Sequence, residues 1–493
     1  MNRTIMLLPL LTLAACATGP RYAEPTPITA LARPYANAPL PAAIAEGALE
    51  RWWIQLGDPT LDALVADTLA RNLDLDAARA RLRRARAQRG VTRAAGLPTL
   101  DGTGAAQRQQ TGSGSAKLNL GEAGGGGAGG STDTLGIDDI PGSAFELYQA
   151  SFDASWEVDL FGANRARTRA EDARVAAAGF DIEDVRTSLA AEVARDYLVV
   201  REVQARLAVL DRNLAIARRT QALAREQERA GLVTEADTAR TDAQVLGIEA
   251  QIPQLRMQET QAAQRLAVLA AREPAALRDT LSPVRPIPAS ATVATGMPSE
   301  LLLRRPDIRR AERELAAATH SEAGAVRDLY PSLSLNASYG GIRTGGLLEW
   351  ASTLFSLGAN LTAPIFDGGR RRAEVERQRA NVDEALARYR SAVLGAFREV
   401  EDGLVASTRN RERLVLAERT VERRRRARTV LEEQYRAGLV GLLDLLTAER
   451  DLAEAETLTA NARAQVTVDW IGLQKALGGG WRVVPAVERE KGA

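Results

Sequence analysis

The chain has 493 residues, and its 64 basic and 63 acidic side chains leave a net charge of +1. That balance excludes the basic excess with which nucleic-acid-binding proteins meet phosphates. One Cys and one His in the whole chain exclude a structural zinc site, which needs about four such ligands, and an intrachain disulfide.

Met1-Asn2-Arg3 is a short basic start, and residues 5–13 are apolar apart from Thr12 and a proline, Pro9. The stretch is well short of the ~20 residues of a spanning helix and suits a signal-peptide core. It closes on Leu13-Ala14-Ala15-Cys16, which resembles the bacterial lipobox. The chemistry needs a thiol to carry diacylglycerol, with small residues before it so that a peptidase reaches the bond. Residues 1–15 are therefore expected to be removed and Cys16 to become a lipidated N-terminus. Acyl chains contribute about 0.8 kcal/mol per buried methylene and would hold that end on a membrane. Ala17 stands where inner-membrane retention typically uses Asp, which favours the outer membrane. Six prolines from Pro20 to Pro41 predict an extended segment lying on the surface.

Beyond this point the chain repeats itself. Arg229-Ala230-Gly231-Leu232-Val233 recurs identically as Arg436-Ala437-Gly438-Leu439-Val440, an offset of 207, and Asp237 and Asp444 follow at the same offset. Phe161 and Arg165 match Phe366 and Arg370 at offset 205, and Leu97-Pro98-Thr99-Leu100 matches Tyr330-Pro331-Ser332-Leu333 at offset 233. The fall of 28 in offset is an insertion in the first copy, visible as the Gly-rich stretch 112–130, which reads as a flexible loop. Three landmarks in one order point to duplication.

Each copy has the same internal order. A helical segment comes first, at residues 74–95 and 306–326. Two strand-like stretches follow. From Tyr148 to Val158 the even positions are Tyr, Ala, Phe, Ala, Trp and Val, and the odd ones are Gln, Ser, Asp, Ser and Glu. In the second copy Leu333, Leu335, Ala337 and Tyr339 alternate with Ser334, Asn336 and Ser338, and residues 350–365 alternate less strictly. The first strand of copy one falls near residues 100–107. A period of two is the signature of a strand with two different faces.

After each strand pair the chain turns helical without proline, over residues 164–230 and 369–437. At 1.5 Å per residue each helix would span roughly 100 Å. Apolar residues step along the first by threes and fours, from Ile182, Val185 and Leu189 to Val203, Leu207, Leu210 and Leu214, which is coiled-coil spacing. Each long helix is expected to end at the Ala-Gly of the pentapeptide, where Gly takes a left-handed cap. Thr234 with Asp237 resembles a capping box opening a further helix to about residue 271. Pro274, Pro283, Pro286, Pro288 and Pro298 interrupt the chain between copies, and Gly478-Gly479-Gly480 ends the last helix. The resulting division is a signal peptide (1–15), a lipidated Pro-rich segment (16–57), repeat 1 (58–271), a linker (272–298), repeat 2 (299–477) and a tail (478–493).

Ten of the 21 aromatics lie in residues 145–161 and 330–366. Gathered aromatics on alternating strands suggest a membrane β-barrel with interfacial belts, against a small soluble sheet with one buried face. Four strands cannot close a barrel, and an open edge in lipid costs several kcal/mol for each unpaired backbone group. Spanning strands therefore require several chains to pool them. A helix of roughly 100 Å with one apolar seam also needs neighbours along its length.

These features together resemble the TolC-like outer membrane factors, and within them the lipoprotein branch often called the NodT family. The residues that carry the likeness are Arg304-Arg305-Pro306-Asp307-Ile308, Trp156-Glu157-Val158-Asp159-Leu160-Phe161-Gly162, Pro364-Ile365-Phe366-Asp367-Gly368-Gly369 and Ala476-Leu477-Gly478-Gly479-Gly480-Trp481. The resemblance implies a mainly α fold with membrane β: a homotrimer whose 12-stranded outer-membrane barrel continues into a twelve-helix periplasmic α-barrel. It implies an outer-membrane lipoprotein acting as the passive export duct of a tripartite efflux system, with a periplasmic adaptor and an inner-membrane pump as partners and no cofactor. The family closes its periplasmic end near the helix tips, which makes Arg425, Arg426, Glu432 and Glu433 the candidate gate. The turns Arg229, Gly231, Leu232, Val233 and Arg436, Gly438, Leu439, Val440 are the candidate adaptor-docking tips.

A channel for polypeptide secretion, or a coiled-coil periplasmic lipoprotein without a channel, are the alternatives. An enzyme would have to rely on His320 or on Asp138 and Asp139. The first is expected to be an ordinary surface histidine and the others solvated loop residues, so no catalytic or metal site is expected. If Cys16 is the lipidated N-terminus, mass spectrometry of the purified protein will show residues 1–15 missing and a diacylglycerol mass added. An intact mature protein with an unmodified Cys16 would refute the assignment.

Overall fold

Asp58 starts the first helix: its carboxylate accepts the Thr60 N–H at 2.9 Å, and Pro59 sits in the first turn, where no backbone donor is needed. In this computed structural model, which describes residues 19–25, 35–37, 49–110, 117–118, 135–136, 144–289, 304–344 and 352–482, the main elements follow in order. They are α1 (Pro59–Arg71), α2 (Leu73–Ala94), β1 (Thr99–Gln110), β2 (Ala144–Val158), α3 (Ala163–Arg229), α4 (Glu235–Glu249) and α5 (Gln251–Leu269). After these come α6 (Pro306–Arg327), β3 (Ser332–Thr344), β4 (Ser352–Thr362), α7 (Arg370–Arg436) and α8 (Leu442–Ala476). Cys16, the signal segment, Asp138, Asp139, the 298/299 boundary and nearly all of the Gly-rich stretch lie outside the described residues.

The long helices are uninterrupted, each 67 residues. The helix expected to run to about residue 271 is instead two, because it breaks at Ala250. Pro253 has no N–H for the Glu249 carbonyl. Restarting the helix at Gln251 puts the proline in a first turn, where it costs nothing. Its counterpart α8 has no proline and runs 35 residues unbroken.

The chain divides into two units. One contains residues 87–171 and 318–381, with Tyr22. Its centre is an antiparallel sheet in the order β1-β2-β3-β4. The register places Gly102, Phe152, Tyr339 and Phe355 in one row across all four strands, with Leu100, Ala154, Ala337 and Leu357 in a row two residues on. Trp156, Leu335 and Ala359 share that face, and so do Val158, Leu333 and Leu361. The opposite face carries Thr103, Ser151, Asp153, Ser155, Asn336, Ser338, Ser356 and Asn360. The Thr103 and Ser151 hydroxyls lie 2.7 Å apart, and each is within hydrogen-bonding distance of the Asp153 carboxylate, at 3.1 and 2.9 Å. The alternation predicted for residues 148–158 and 333–339 is thus realised as an apolar and a polar face, whereas farther along the sheet Ile342 and Leu354 fall on the polar side and Arg343 on the apolar one. On the apolar face Phe152, Phe355, Leu357 and Leu361 are 61–75% exposed.

Where the sheet meets its helices, Phe161 stacks on Tyr330 with ring centroids 5.0 Å apart. Arg327 donates to the Gly162 carbonyl at 2.8 Å, and the Trp156 indole to the Gly96 carbonyl at 3.0 Å. His320, half-buried on α6, lies near the ring of Tyr22.

The other unit holds the apolar core. Trp52 is fully buried between Trp53 and Trp470, each at 5.7 Å, and Leu61, Val193, Tyr197, Leu198, Leu266 and Ile471 close around them. The seam read along α3 is buried at Leu189, Val193, Val200, Val203, Leu210 and Leu214. Arg201, fully buried, donates to the Pro283 carbonyl at 2.8 Å, so the Pro-rich linker is tied to α3. Tyr35 is buried against Phe397, and Glu401 accepts the Ala36 N–H at 2.7 Å. This part of the Pro-rich segment is seated rather than merely lying on the surface.

Two of the sequence landmarks meet here. Arg305 grips both oxygens of Asp307 (3.0 and 2.7 Å) and also reaches Glu399 (2.6 Å) and the Ala476 carbonyl (3.1 Å). The Trp481 indole donates to the Arg304 carbonyl at 2.8 Å. Gly478, at φ +78°, passes so near this backbone that a Cβ would lie 2.9 Å from the Arg304 oxygen. Burial disfavours the Arg305 charge, yet the bidentate Asp307 and the Glu399 carboxylate hold its pKa above the ordinary arginine value.

The sheet makes one steric demand. A Cβ at Gly340 would lie 2.5 Å from the Ala150 carbonyl oxygen and 2.8 Å from Ser151 Cα, whereas one at Gly358 meets nothing within 4 Å. Gly340→Val is expected to separate β2 from β3 and sharply reduce the yield of folded protein. Gly358→Ala should express normally. Equal yields in heat-modifiability gels would contradict the register.

Candidate functional site

The duplicated pentapeptides form the ends of α3 and α7. Both Gly231 (φ +68°) and Gly438 (φ +72°) adopt the left-handed conformation. Around the first, the Gly231 N–H bonds to the Glu228 carbonyl at 2.9 Å and the Leu232 N–H to the Gln227 carbonyl at 2.8 Å. Around the second, Gly438 bonds to Tyr435 at 3.0 Å and Leu439 to Gln434 at 2.9 Å. This is the double bond of a Schellman cap, twice. Such caps usually fold the residue after the glycine back onto an apolar partner three positions before the cap. Here that partner is a glutamine, and Leu232 and Leu439 stay 74% and 75% exposed.

The next helices start alike. The Asp237 carboxylate accepts the Thr234 N–H at 3.1 Å and hydroxyl at 2.8 Å, and Asp444 accepts the Gly441 N–H at 3.2 Å. Bonds from Thr234 hold the Asp237 pKa below its ordinary value. The two turns are neighbours. The Tyr435 hydroxyl donates to Gln227 Oε1, and Ala224, Tyr435, Leu442 and Leu445 form a small buried cluster against which Val440 packs. Val233 is half-buried, and Arg229 and Arg436 are exposed. The expected tip residues therefore gather at one place, with the leucines outward and Val440 inward.

The expected gate residues are not one cluster. Arg425 pairs with Glu456 at 2.7 Å, and Glu432 with Arg428 and, at 2.5 Å, Arg436. Arg426 and Glu433 are exposed and make no ion pair among the described residues. The buried polar centre nearby is a different residue, Glu449 of α8, only 6% exposed. It accepts from the Thr220 hydroxyl at 2.7 Å and from Gln244 at 3.3 Å, with Arg428 at 3.7 Å. A cavity of about 410 Å³ adjoins it, lined in part by Leu210, Asn213, Ile248, Arg428 and Leu458. The signal for Glu449 was present in the sequence: it occupies the row of Leu442, Leu445, Leu452 and Ala455, all buried, where an apolar residue is the rule. At the same offset of 207 residues, Asp242 is more open and accepts from Gln221 at 2.8 Å and Arg225 at 2.9 Å.

The family profile described as "Outer membrane efflux protein" matches residues 64–272 and 297–479. The chain is 32% identical over 434 residues to the pyoverdine export outer membrane protein OpmQ of Pseudomonas aeruginosa, covering 88% of each chain. It is 29% identical to nodulation protein T of Rhizobium leguminosarum bv. viciae, over 96% of this chain and 92% of that one. Among solved structures, the outer-membrane channel OprN superposes with a TM-score of 0.80 at 33% identity, covering 95% of this chain and all of that one.

Burial is the main reason that the Glu449 carboxyl is raised above its ordinary value, with Glu432 adding to it, while Thr220, Arg428 and Gln244 oppose the shift. A raised carboxyl favours the folded state when protonated. That contribution is complete below the ordinary glutamate range and is lost as pH rises through the raised value. Glu449→Gln keeps a hydrogen-bonding side chain without the charge. It is expected to raise the thermal midpoint at neutral pH and to flatten its fall above pH ~4.5, as measured by circular dichroism melts across pH. A variant with the wild-type slope would show that Glu449 is not the titrating group.

Proposed function

The chain belongs to the outer membrane efflux protein family, and we propose that it is the outer-membrane channel lipoprotein of a tripartite efflux system, a passive duct for small molecules. It is an outer-membrane efflux channel by descent, and its relatives form a channel family rather than an enzyme family. The observation that carries the reading is the sheet: apolar on one face, polar on the other, and open at both edges. Such a sheet suits a barrel wall with lipid outside and water inside, completed by two further copies of the chain. We assign residues 58–271 and 299–477 to two copies of one efflux repeat, residues 16–57 to the lipidated segment, 272–298 to a linker and 478–493 to a tail. Three chains would pool four strands each, and the paired 67-residue helices, about 100 Å at full length, would form the periplasmic tunnel.

The passive duct needs its energy from elsewhere, so an inner-membrane pump and a periplasmic adaptor are the partners. OpmQ is a pyoverdine export protein, which agrees with a small-molecule cargo. We place the adaptor at the two turns. A glycine lets a partner helix approach closely, and an exposed leucine offers it a side chain to bury. The cap explains Gly231 and Gly438, but not the identical Leu-Val after each. Arg425, Arg426, Glu432 and Glu433 remain the proposed gate, the first and third held in ion pairs within the chain. Cys16 carries the lipid that adds an anchor to the barrel.

Leu232→Asp combined with Leu439→Asp is expected to leave the protein folded and inserted while abolishing export and crosslinking to the adaptor. Export at the wild-type rate by the double variant, with normal outer-membrane levels, would remove the turns from the docking surface.

A further inference from the structure

The cavity beside Glu449 has walls of two kinds. Leu210 and Ile216 of α3, Ile248 of α4, and Leu452 and Leu458 of α8 line it with hydrocarbon. Leu210 and Leu452 are buried, whereas Leu458 is 45% exposed and marks the side open to solvent. The helix break at Ala250 lies in the same wall, between Ile248 and Gln251, both of which border the space. In the polar wall, Asn213 Nδ2 and Arg428 Nε are buried and have no acceptor among the described residues. Asn213 is only 6% exposed, and a buried donor left unpaired costs stability. The remaining nitrogens of Arg428 are engaged by Glu432 and, at 3.7 Å, by Glu449.

We propose that this cavity is a binding site for an uncharged, largely apolar small molecule that carries a carbonyl oxygen. Its volume of about 410 Å³ falls within the ~300–1,000 Å³ of sites for drug-sized ligands and is many times the ~30 Å³ of one water. Water would pair with the two donors but leave the leucine and isoleucine walls wetted. A plain hydrocarbon would cover those walls and leave the donors unpaired. A molecule with an apolar body and an acceptor oxygen answers both. The charges around the cavity ask for a neutral occupant. Arg428 already has two carboxylates, and Arg450 and Glu454, both exposed, are opposite in sign. An anion would be set beside Glu449 and a cation beside Arg428, each losing its hydration without a free counter-charge. The ligand would rest on α3, α4 and α8 and accept from α7, so its binding favours the arrangement in which these four helices are packed. The site lies within one chain and stands apart from the trimeric channel reading.

Benzophenone serves as the probe, because it is a neutral, apolar ketone that inserts into nearby C–H bonds on irradiation. Irradiated with the full-length protein in outer membranes, it should attach within residues 210–216 and 452–458, as mapped by peptide mass spectrometry. Dicyclohexyl ketone added as a competitor should suppress that labelling several-fold more effectively than dicyclohexylmethane, which has the same shape and no oxygen. Asn213→Leu should weaken the labelling several-fold. Ala453→Trp, whose ring would fill the space that Ala453 borders, should abolish it, both variants being compared at equal outer-membrane levels. Equal suppression by the two competitors in wild-type protein would show that no donor reads the oxygen and would overturn the site. Unchanged labelling of a folded Asn213→Leu variant would do the same. Absence of labelling at residues 210–216 and 452–458, with exposed leucines such as Leu232 and Leu439 labelled, would mean that the cavity holds water only or is covered by a neighbouring subunit. The competition needs no substitution, so a variant that fails to fold leaves the test intact.

Discussion

Every backbone amide on the outer strand of a sheet needs a partner, and in hydrocarbon there is no water to supply one. The four-stranded sheet has two such strands, β1 and β4, and its exposed face is built from Phe152, Phe355, Leu357 and Leu361. A sheet of this kind is stable neither in water, where the apolar face is exposed, nor alone in a bilayer, where the edges are. The proposed closure with other copies into a barrel would answer both problems. In that proposed barrel, polar residues facing each other across the strands, such as Thr103, Ser151 and Asp153, would line the inside. The duplication we propose makes closure economical.

The helical part obeys a different rule. Helices of 67 residues satisfy their own backbone, so their demand is for side-chain neighbours along an apolar seam. Near the two turns the halves of the chain differ at one paired position. Glu449 is buried among Thr220, Gln244 and Arg428, whereas Asp242 at the matching position is more exposed and bonded by Gln221 and Arg225. A buried carboxylate contributes little net stability and is costly once a partner is lost. Its contacts tie together α3, α4, α7 and α8. The turns themselves have not diverged: the same five residues make the same cap and leave the same leucine outward.

Much of this was legible without coordinates, because the signals are local. A period of two over residues 148–158 and 333–339 announced strands with unlike faces. Long runs without proline announced long helices, and Gly231 and Gly438 announced their ends, because only glycine enters the left-handed region freely. Even the break at Ala250 has a local cause in Pro253. What no local pattern specifies is which distant groups meet. The order β1-β2-β3-β4, the seating of Phe161 on Tyr330, the grip of Arg305 on Glu399 and the Ala476 carbonyl, and the partners of Glu449 all join residues far apart in the chain. Sequence alone determined the elements and their faces, since steric and periodic preferences act within a few residues. Only the tertiary structure decided the pairings, since hydrogen bonds and burial between distant segments depend on where the chain has brought them.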